Sequence, residues 1–306
     1  MNEIALLIAA SLSAGTAIAI AGLGLLINEK AGVVNLGAEG MMLLAAIAGF
    51  ATVVLTGKDY LGFMAGMLAG VLASSVFALL VLWLNTNQMA TGLALSLFGS
   101  GFSAFVGVKF VQEKLPERIH YKITFLADIP LLGPAFFTHH PLVYFAIALA
   151  ILLIWFFYYT RAGLVLRSVG ESPESAQALG YSVRSIRLAA VLVGGALCGL
   201  AGAYLSLVTA PLWVEGMTAG RGWIALALTT FASWRPLRVL VGAYLFGGVT
   251  MLQFYLQGQG VQISSHLLSA LPYMATIAVL VLISTHKDWV RLNMPASLGK
   301  PFFPRG

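Results

Sequence analysis

Long apolar stretches recur along most of the chain and are separated by short polar or charged connections. Eight of these stretches are close to the ~20 residues that a helix needs to cross the ~30 Å hydrocarbon core of a bilayer. A ninth, at residues 223–234, covers only about 18 Å at 1.5 Å per residue, so it must extend N-terminally or be re-entrant. The pattern predicts an all-α, polytopic integral membrane protein. The eight longer stretches are residues 4–27, 39–56, 61–84, 89–108, 142–159, 188–209, 237–256 and 267–285.

The positions of the basic residues indicate whether the ninth stretch crosses the membrane. With nine spans and the N-terminus outside, 11 of the 17 lysines and arginines lie on the cytoplasmic side. If the ninth stretch were re-entrant, six basic residues from Arg235 onward would move outside and only five would remain inside. Cytoplasmic loops carry an excess of Lys and Arg, so the charges favour about nine transmembrane helices, with the N-terminus outside and the C-terminus cytoplasmic. The residues placed inside are Lys30, Arg161, Arg167, Arg184, Arg187, Arg235, Arg238, Lys287, Arg291, Lys300 and Arg305.

The composition agrees with a membrane location and argues against soluble classes. Hydrophobic residues make up 59% of the 306 positions, charged residues make up 9%, and the mean hydropathy is +0.92. A soluble domain carries roughly 25% charged residues, so this chain has too few to cover a surface in water. The net charge of +6 does not indicate nucleic-acid binding, because the basic residues are scattered between apolar stretches. The single cysteine, Cys198, allows no intrachain disulfide.

The predicted topology gives one membrane domain, residues 1–306, with two long connections and a tail. The periplasmic loop spans residues 109–141, the cytoplasmic loop 160–187 and the cytoplasmic tail 286–306. In the cytoplasmic loop Ser172 is a good N-cap, Pro173 a favoured first helical residue and Gly180 a helix stop. These residues predict a helix of about two turns, which is too short to be stable alone and must pack on its own domain or on a partner. The alternative is an ordinary connector whose arginines only fix the topology.

Polar residues around the start of the second stretch are candidates for a pathway or a gate. Glu39 is an acidic side chain at an apolar stretch, where carboxylates are costly and usually functional. Asn35 lies four residues earlier and shares its helix face if the helix already runs through Gly37. The pair could hold a bend or gate the path; alternatively, Glu39 is solvated at the interface near Lys30. The same group includes Met41 and, before the short stretch, Gly220, Arg221 and Gly222.

The sequence allows three interpretations of Arg221. It could pair with Glu215, contact a binding protein, or extend its stem along apolar surface with its charge at the interface. The flanking glycines allow close approach of the backbone.

Glycines at four-residue spacing indicate close helix packing. Gly62, Gly66 and Gly70 form one such face, and Gly195 and Gly199 form another. Faces of small residues pack helices against each other, either within the subunit or at a dimer interface.

The sequence contains no motif for catalysis or for a metal. A Gly-x-x-x-x-Gly-Lys-Ser/Thr loop is absent, so the sequence carries no ATP-binding loop of this kind. His139 and His140 are adjacent and have no flanking carboxylate, so neither a metal site nor a cofactor is predicted. The stretches hold amides, hydroxyls and aromatic rings with few ionisable groups, which favours a neutral, hydrogen-bonding solute. These polar residues include Gln88, Ser96, Ser103, Tyr204, Thr229, Tyr244 and Gln253.

Several strings resemble permeases of ATP-binding-cassette (ABC) transporters. The string Asn-Leu-Gly-Ala-Glu-Gly at residues 35–40, together with residues 128–134, 197–204 and 217–225, is similar to simple-sugar and nucleoside permeases of the type II importer group, which also includes branched-chain amino acid permeases. It is most similar to the shorter permease of nucleoside importers. The cytoplasmic loop resembles the Glu-Ala-Ala…Gly signature of the ATPase-coupling helix, with Ser175 in place of the first alanine. The coupling residues implied by this resemblance are Gly170, Glu171, Ser172, Pro173, Glu174, Ala176, Leu179 and Gly180.

The resemblance implies a permease without a catalytic site, in the bacterial inner membrane, that moves a solute by alternating access. The implied solute is a nucleoside, with a simple sugar as the alternative. The implied partners are an ABC ATPase, a second homologous permease in a heterodimer, and a periplasmic or lipid-anchored binding protein, all within membrane lipid and without nucleic acid. A stand-alone ion-coupled transporter is the competing class, but such proteins usually bury paired ionisable groups near mid-membrane. No nucleophile–base pair and no metal-binding cluster in the sequence supports a membrane-embedded enzyme.

Overall fold

The computed structural model describes residues 3–115, 136–259 and 293–303, together with residues 267, 270–272, 274–275 and 277–278. Within these ranges the regular secondary structure is helical and contains no strand. Parts of three predicted segments lie outside the described residues. They are most of the span at 267–285, residues 116–135 of the periplasmic loop, and residues 286–292 and 304–306 of the tail.

The described ranges contain ten helices, which we number α1–α10 in chain order. Seven of the helices in these ranges are long and apolar enough to cross a membrane, which confirms an all-helical, polytopic membrane protein. The count of nine spans and the orientation stay predictions. The long helices are α1 (Glu3–Lys30), α2 (Ala38–Thr56), α3 (Asp59–Ala78), α4 (Gln88–Gly107), α5 (Pro141–Tyr159), α8 (Val183–Tyr204) and α10 (Pro236–Gly258), and the shorter ones are α6 (Arg161–Glu171), α7 (Pro173–Ala178) and α9 (Arg221–Phe231).

Helix α1 is the centre of the bundle. Residues 14–33 are buried without interruption, as expected of a helix that is apolar on all sides and enclosed by others. It packs against α5, α8, α9 and α10, while α2 packs against α3, α4, α8 and α9. The outer helices present large apolar side chains outward, and an apolar surface of this extent suits contact with lipid. Examples are Leu68, Leu97, Ile151 and Leu245.

The helix ends fall into two groups at opposite ends of the bundle. At one end, which we call the α7 end, Lys30 Nζ donates to the Asn293 carbonyl oxygen at 3.1 Å and Gln88 accepts from the Val34 N–H at 2.8 Å. At the other end, Tyr255 of α10 donates to the Glu3 carboxylate at 2.8 Å. The end of α10 therefore lies at one end of the bundle, and Asn293 lies at the other.

Glycine faces bring α3 and α8 into close contact. A Cβ atom at Gly66 would lie 2.6 Å from the Ala203 Cβ and 3.2 Å from the Gly199 carbonyl oxygen. A Cβ at Gly70 would lie 2.8 Å from the Gly199 Cα. Gly62 meets α2 as well, where a Cβ would lie 2.9 Å from the Gly49 carbonyl oxygen. These glycines therefore pack helices within the chain.

The short apolar stretch is not lengthened by a helical extension. Helix α9 has 11 residues, about 16 Å of helix. The preceding residues 210–220 form turns and extended backbone, yet Trp213 is fully buried against Ala46, Ile47 and Phe50 of α2. A non-helical segment, anchored by the buried side chains of Trp213 and Thr218, thus leads into a half-length helix. Such interrupted backbone is tolerated at membrane depth only where protein or a cavity surrounds it.

Two helix boundaries differ from the predictions. Helix α1 continues to Lys30 instead of ending near residue 27, so Asn28, Glu29 and Lys30 are helical and buried. The hydrophobic pattern ends the first stretch at residue 27 and places Lys30 on the cytoplasmic side. In the cytoplasmic loop, a second amphipathic helix, α6, precedes the predicted short helix. The first difference arises because Trp234 and Asn293 supply hydrogen-bond partners to Glu29 and Lys30, which would otherwise end the span. Helix α6 is stabilised by the burial of Leu166 and Val169 on one face.

Candidate functional site

The Glu39 carboxylate joins two helix N-termini inside the bundle. Its Oε1 accepts from Thr218 Oγ1 at 2.5 Å and from the Gly220 N–H at 2.8 Å, and its Oε2 accepts from the Gly222 N–H at 2.7 Å. Glu39 lies in the first turn of α2, and Gly220 and Gly222 begin α9. The first N–H groups of a helix have no partner within it and carry a partial positive charge. One buried carboxylate therefore accepts hydrogen bonds from the N–H groups at the start of α9. It also places a negative charge in the first turn of α2, where the helix dipole favours it.

The backbone before α9 is shaped for this contact. Ala219 and Gly220 both have positive φ angles, 47° and 80°, a left-handed conformation that glycine adopts without penalty and alanine does not. A Cβ on Gly222 would lie 2.5 Å from the Glu39 nitrogen, so only glycine permits this approach of α9 to α2. Thr218, which donates to Glu39, was missed by the sequence analysis because nothing in its local pattern sets it apart.

Asn35 and Glu39 do not form the expected pair along one helix face. Helix α2 begins at Ala38, with Gly37 as its N-cap, so the segment between the two residues is not helical. The Asn35 side chain instead accepts from the Gly37 N–H at 2.9 Å and lies 3.7 Å from the Met41 sulfur. This is an Asx turn. It stabilises the bend before α2 and does not pair Asn35 with Glu39.

Glycines also bring the start of α2 against α4. A Cβ on Gly40 would lie 2.5 Å from the Leu95 carbonyl oxygen, and a Cβ on Gly99 would lie 2.5 Å from the Gly40 Cα. Ser96 of α4 donates to the Leu36 carbonyl oxygen at 2.8 Å. The glycine-rich string at residues 35–40 is therefore a contact surface for α4 on one side and carries Glu39 toward α9 on the other.

Arg221 turns back onto its own segment. Its guanidinium donates to the carbonyl oxygens of Met217 and Thr218 at 3.0 and 3.2 Å. These bonds hold the turn that presents the α9 N-terminus to Glu39. The Arg221 side chain therefore stabilises the loop at residues 217–221.

A second carboxylate lies inside the bundle at the other end of α9. Trp234 Nε1 donates to Glu29 Oε2 at 2.5 Å, and both side chains are buried. The hydrophobic pattern does not predict this pair, because it ends the first span before Glu29. Both ends of the region around α9 are thus held by carboxylates, one from α1 and one from α2.

Helix α7 forms where the short helix was predicted. The Ser172 hydroxyl accepts from the Ser175 N–H at 3.4 Å, Pro173 occupies the first turn, and Gly180 follows with a φ of 87°. One face is buried, with Ala176 packed against Val169, Val183 and Phe302.

The other face of α7 is open. Leu179 is 76% exposed, and a Cβ on Gly180 would meet no atom within 4 Å. Glu174 is exposed as well, while Glu171 accepts from the Ala296 N–H at 3.4 Å and Gly170 packs against the end of α1. An anchored helix with a free apolar tip is suited to contact with another protein.

Most of the polar side chains within the spans make internal bonds. Gln88, Ser96, Ser103 and Thr229 all bond to backbone groups of this chain, and Tyr204 bonds to Ser13 at 3.1 Å. Gln88, Ser96 and Tyr204 thereby join different segments of the chain, whereas Ser103 and Thr229 bond within their own helices.

Comparison with known proteins agrees with the packed, multi-span architecture. The model of a family described as "Branched-chain amino acid transport system / permease component" matches residues 7–283. The chain is a member of this permease family. No solved structure matches the chain.

Several curated relatives of this permease match over most of their length. A Haloferax volcanii protein named for glucose ABC transport is 41% identical, over 97% of each chain. A nucleoside ABC transporter permease of Lactococcus lactis is 33% identical, over 92% of this chain and 93% of the relative. A guanosine ABC transporter permease of Bacillus subtilis is 32% identical, over 80% of each chain.

Family membership establishes the general role of this permease. It is a multi-pass inner-membrane subunit of an ABC transporter of the sugar and nucleoside group. It is not an enzyme, because ATP hydrolysis belongs to a partner ATPase. A substrate-binding protein is the other partner that the family implies.

Proposed function

We propose that this permease forms one half of an alternating-access pathway that imports a neutral solute bearing a sugar moiety, with a second homologous permease forming the other half. The partner ATPase docks on α7, and its closure moves the spans between inward- and outward-open states. The observation that carries the proposal is the two-sided character of α7, which is buried through Ala176 and free at Leu179 and Gly180.

A pair of glycines provides a test of the α7 assignment. Gly180 and Gly57 both have positive φ angles, 87° and 67°, and neither has an atom within 4 Å of an added Cβ. They lie after α7 and after α2, at opposite ends of the bundle. Gly180→Trp is expected to abolish uptake and co-purification of the ATPase, whereas Gly57→Trp, with the same backbone strain, retains both. Equal uptake by the two variants would refute the assignment.

Charge and chain direction support nine spans with the α7 end in the cytoplasm. Among the residues that the structure describes, most lysines and arginines lie in segments at that end, as the positive-inside bias requires. The chain leaves α10 at the opposite end and resumes at Asn293 at the α7 end, which agrees with a further crossing by the apolar stretch at 267–285. Labelling single cysteines in a Cys198→Ala background tests this topology. A membrane-impermeant thiol reagent added outside should modify Lys58→Cys but not Ser175→Cys, and the reverse result would overturn the orientation.

The proposed heterodimer rests on the relatives. Two Haloferax volcanii proteins named for glucose ABC transport are similar to this chain, at 41% identity over 97% of the chain and 23% over 90%. Two homologous permeases in one organism are what a paired pathway requires. Purification of the tagged permease from its native membrane should recover a second permease in a one-to-one ratio, and recovery of a homodimer would contradict the pairing.

The solute class is a nucleoside or, as the second candidate, a simple sugar. Both are neutral and rich in hydroxyls, which agrees with spans that carry few ionisable groups. The nucleoside is supported by relatives at 33% and 32% identity, and the sugar by the relative at 41%. In a deletion strain, uptake of labelled adenosine, uridine and glucose should show which class is lost. Loss of an anionic solute's uptake alone would refute both candidates.

A further inference from the structure

The C-terminal residues 293–303, which we call the C-terminal strap, are folded against the α7 end of the bundle. The strap contacts the end of α1, the end of α6 and the start of α4, through Lys30, Gly170 and Gln88 respectively. The hydrophobic pattern predicts only a cytoplasmic tail here. Its bonds instead make it part of the packed protein.

The strap is fixed to α8 and to the α1–α2 loop by one buried arginine. Arg187 is 1% exposed and donates to the Ala31 carbonyl oxygen at 3.1 Å, to the Ser297 hydroxyl at 2.9 Å and to the Lys300 carbonyl oxygen at 3.4 Å. The first acceptor lies in the α1–α2 loop and the other two in the strap. Because a guanidinium has several donors in fixed directions, Arg187 holds the three segments in a defined arrangement.

The strap also contacts the α1–α2 loop directly. The Gly299 N–H donates to the Gly32 carbonyl oxygen at 3.2 Å. Gly32 has a φ of 87°, and a Cβ there would lie 2.6 Å from the Ser297 hydroxyl oxygen and 2.8 Å from Arg187 Nη2. The loop is thus shaped to receive the strap, and it leads within a few residues to Glu39, whose carboxylate holds the start of α9.

At its far end the strap supports α7. Phe302 is 7% exposed and packs in a cluster with Ala176 of α7 and with Val169 and Val183. The next residue, Phe303, is 64% exposed. A movement of α7 therefore meets Phe302 directly, and the rest of the strap connects that contact to the α1–α2 loop.

We infer that the C-terminal strap is the positioning element that transmits movement of α7 to the α1–α2 loop. The inference rests on the proposed docking of the ATPase on α7. Phe302 and Ser297 act through other residues and touch neither solute nor ATP. Coupling between distant parts of a protein is carried by contiguous packed side chains and hydrogen bonds that have more than one arrangement, and the strap supplies such a connection between α7 and the segment that carries Glu39.

The adjacent phenylalanines provide a matched test. Phe302→Ala and Phe303→Ala remove the same ring from neighbouring positions, one packed under α7 and one exposed. Each variant is reconstituted in liposomes with the second permease, the ATPase and the binding protein, using labelled adenosine and glucose as probes. Phe302→Ala should keep the ATPase bound and hydrolysing ATP, while the ATP consumed per solute imported rises about tenfold. Phe303→Ala should leave that ratio unchanged.

Further variants distinguish a failure of the strap inference from a failure of the proposed function. Ser297→Ala removes the hydroxyl bonded to Arg187 and Gly170 and should raise the same ratio about threefold, which covers the case in which Phe302→Ala does not reach the membrane. Unchanged ratios in both strap variants, with uptake abolished by Gly180→Trp, would overturn the strap inference alone. Normal uptake in Gly180→Trp would overturn the proposed function. Loss of bound ATPase in Phe303→Ala would make the strap a docking surface and overturn the positioning role.

Discussion

The contact between Glu39 and the start of α9 leads to a quantitative prediction for Glu39→Gln. Hydrogen bonds to a charged group contribute about 1.5–3 kcal/mol each, against about 1 kcal/mol for neutral pairs. Glutamine keeps one oxygen, which can accept from Thr218 and Gly220, but it turns an amide N–H₂ toward the Gly222 N–H that Oε2 now accepts from. Two bonds lose their charge assistance, and one buried donor loses its partner.

The net effect is a loss of about 2–4 kcal/mol, because an unpaired buried donor costs about 1–3 kcal/mol and removal of a buried charge recovers part of the desolvation cost. No large discount for solvent screening applies, since Glu39 is 7% exposed. With an unfolding entropy of about 2.1 cal/mol/K per residue over 306 residues, each kcal/mol shifts the melting temperature by about 1.6 °C. The melting temperature of the purified protein in detergent should therefore fall by roughly 3–6 °C.

Glu113→Gln is the matched control, because Glu113 is an exposed carboxylate at the opposite end of the bundle. It should shift the melting temperature by less than about 2 °C, as expected of an exposed surface change. Glu39→Asp keeps the charge with a shorter reach and should lie between the two. If Glu39→Gln melts and transports as Glu113→Gln does, the carboxylate is not the clamp of α9 and the reasoning from its three bonds fails.

Three further predictions address packing, the second carboxylate and the buried thiol. Gly70→Ala should lower the yield of folded protein, because its Cβ would press on Gly199 of α8, whereas Gly101→Ala, with no atom within 4 Å, should not. Trp234→Phe removes the donor to Glu29 and should destabilise the detergent-purified protein by about 1–3 kcal/mol, measured by thermal melting. Cys198, fully buried in α8, should resist a thiol reagent in native membranes and react after denaturation.

Each of these predictions has a contrary outcome. Equal folded yields for the two glycine variants would show that α3 and α8 can separate without loss. A Trp234→Phe protein as stable as the parent would mean that Glu29 has another donor of equal strength. Rapid labelling of Cys198 under native conditions would contradict the burial of that face of α8.

The sequence predicted the features that depend on local pattern. Span lengths, the helix at Pro173 with its Ser172 cap and Gly180 stop, and the small-residue faces all follow from periodicity, composition and capping chemistry. These features are local or repeat along one helix, so no knowledge of a neighbouring element is needed to see them.

Helix boundaries were predicted less well where neighbouring elements cover polar groups. Glu29 and Lys30 lie beyond the first predicted span, yet they are helical and buried because Trp234 donates to Glu29 and Lys30 donates to the C-terminal strap. A polar residue ends a span only if water is its best partner. When another part of the chain supplies the partner, the helix continues.

The sequence by itself determined that this protein crosses the membrane many times and that it has no Gly-x-x-x-x-Gly-Lys-Ser/Thr loop for ATP. It also indicated Glu39 and the Gly220–Gly222 segment as candidates for a pathway or a gate. Only the tertiary structure paired them, because the residues that bond to Glu39 lie about 180 positions away along the chain. In the tertiary structure Asn35 forms an Asx turn instead of pairing with Glu39. The C-terminal strap packs beneath α7 through Phe302. Long-range pairing depends on which helices are neighbours and how each is rotated, and neither is written in the local hydrophobic pattern of a chain whose spans are apolar on nearly every side.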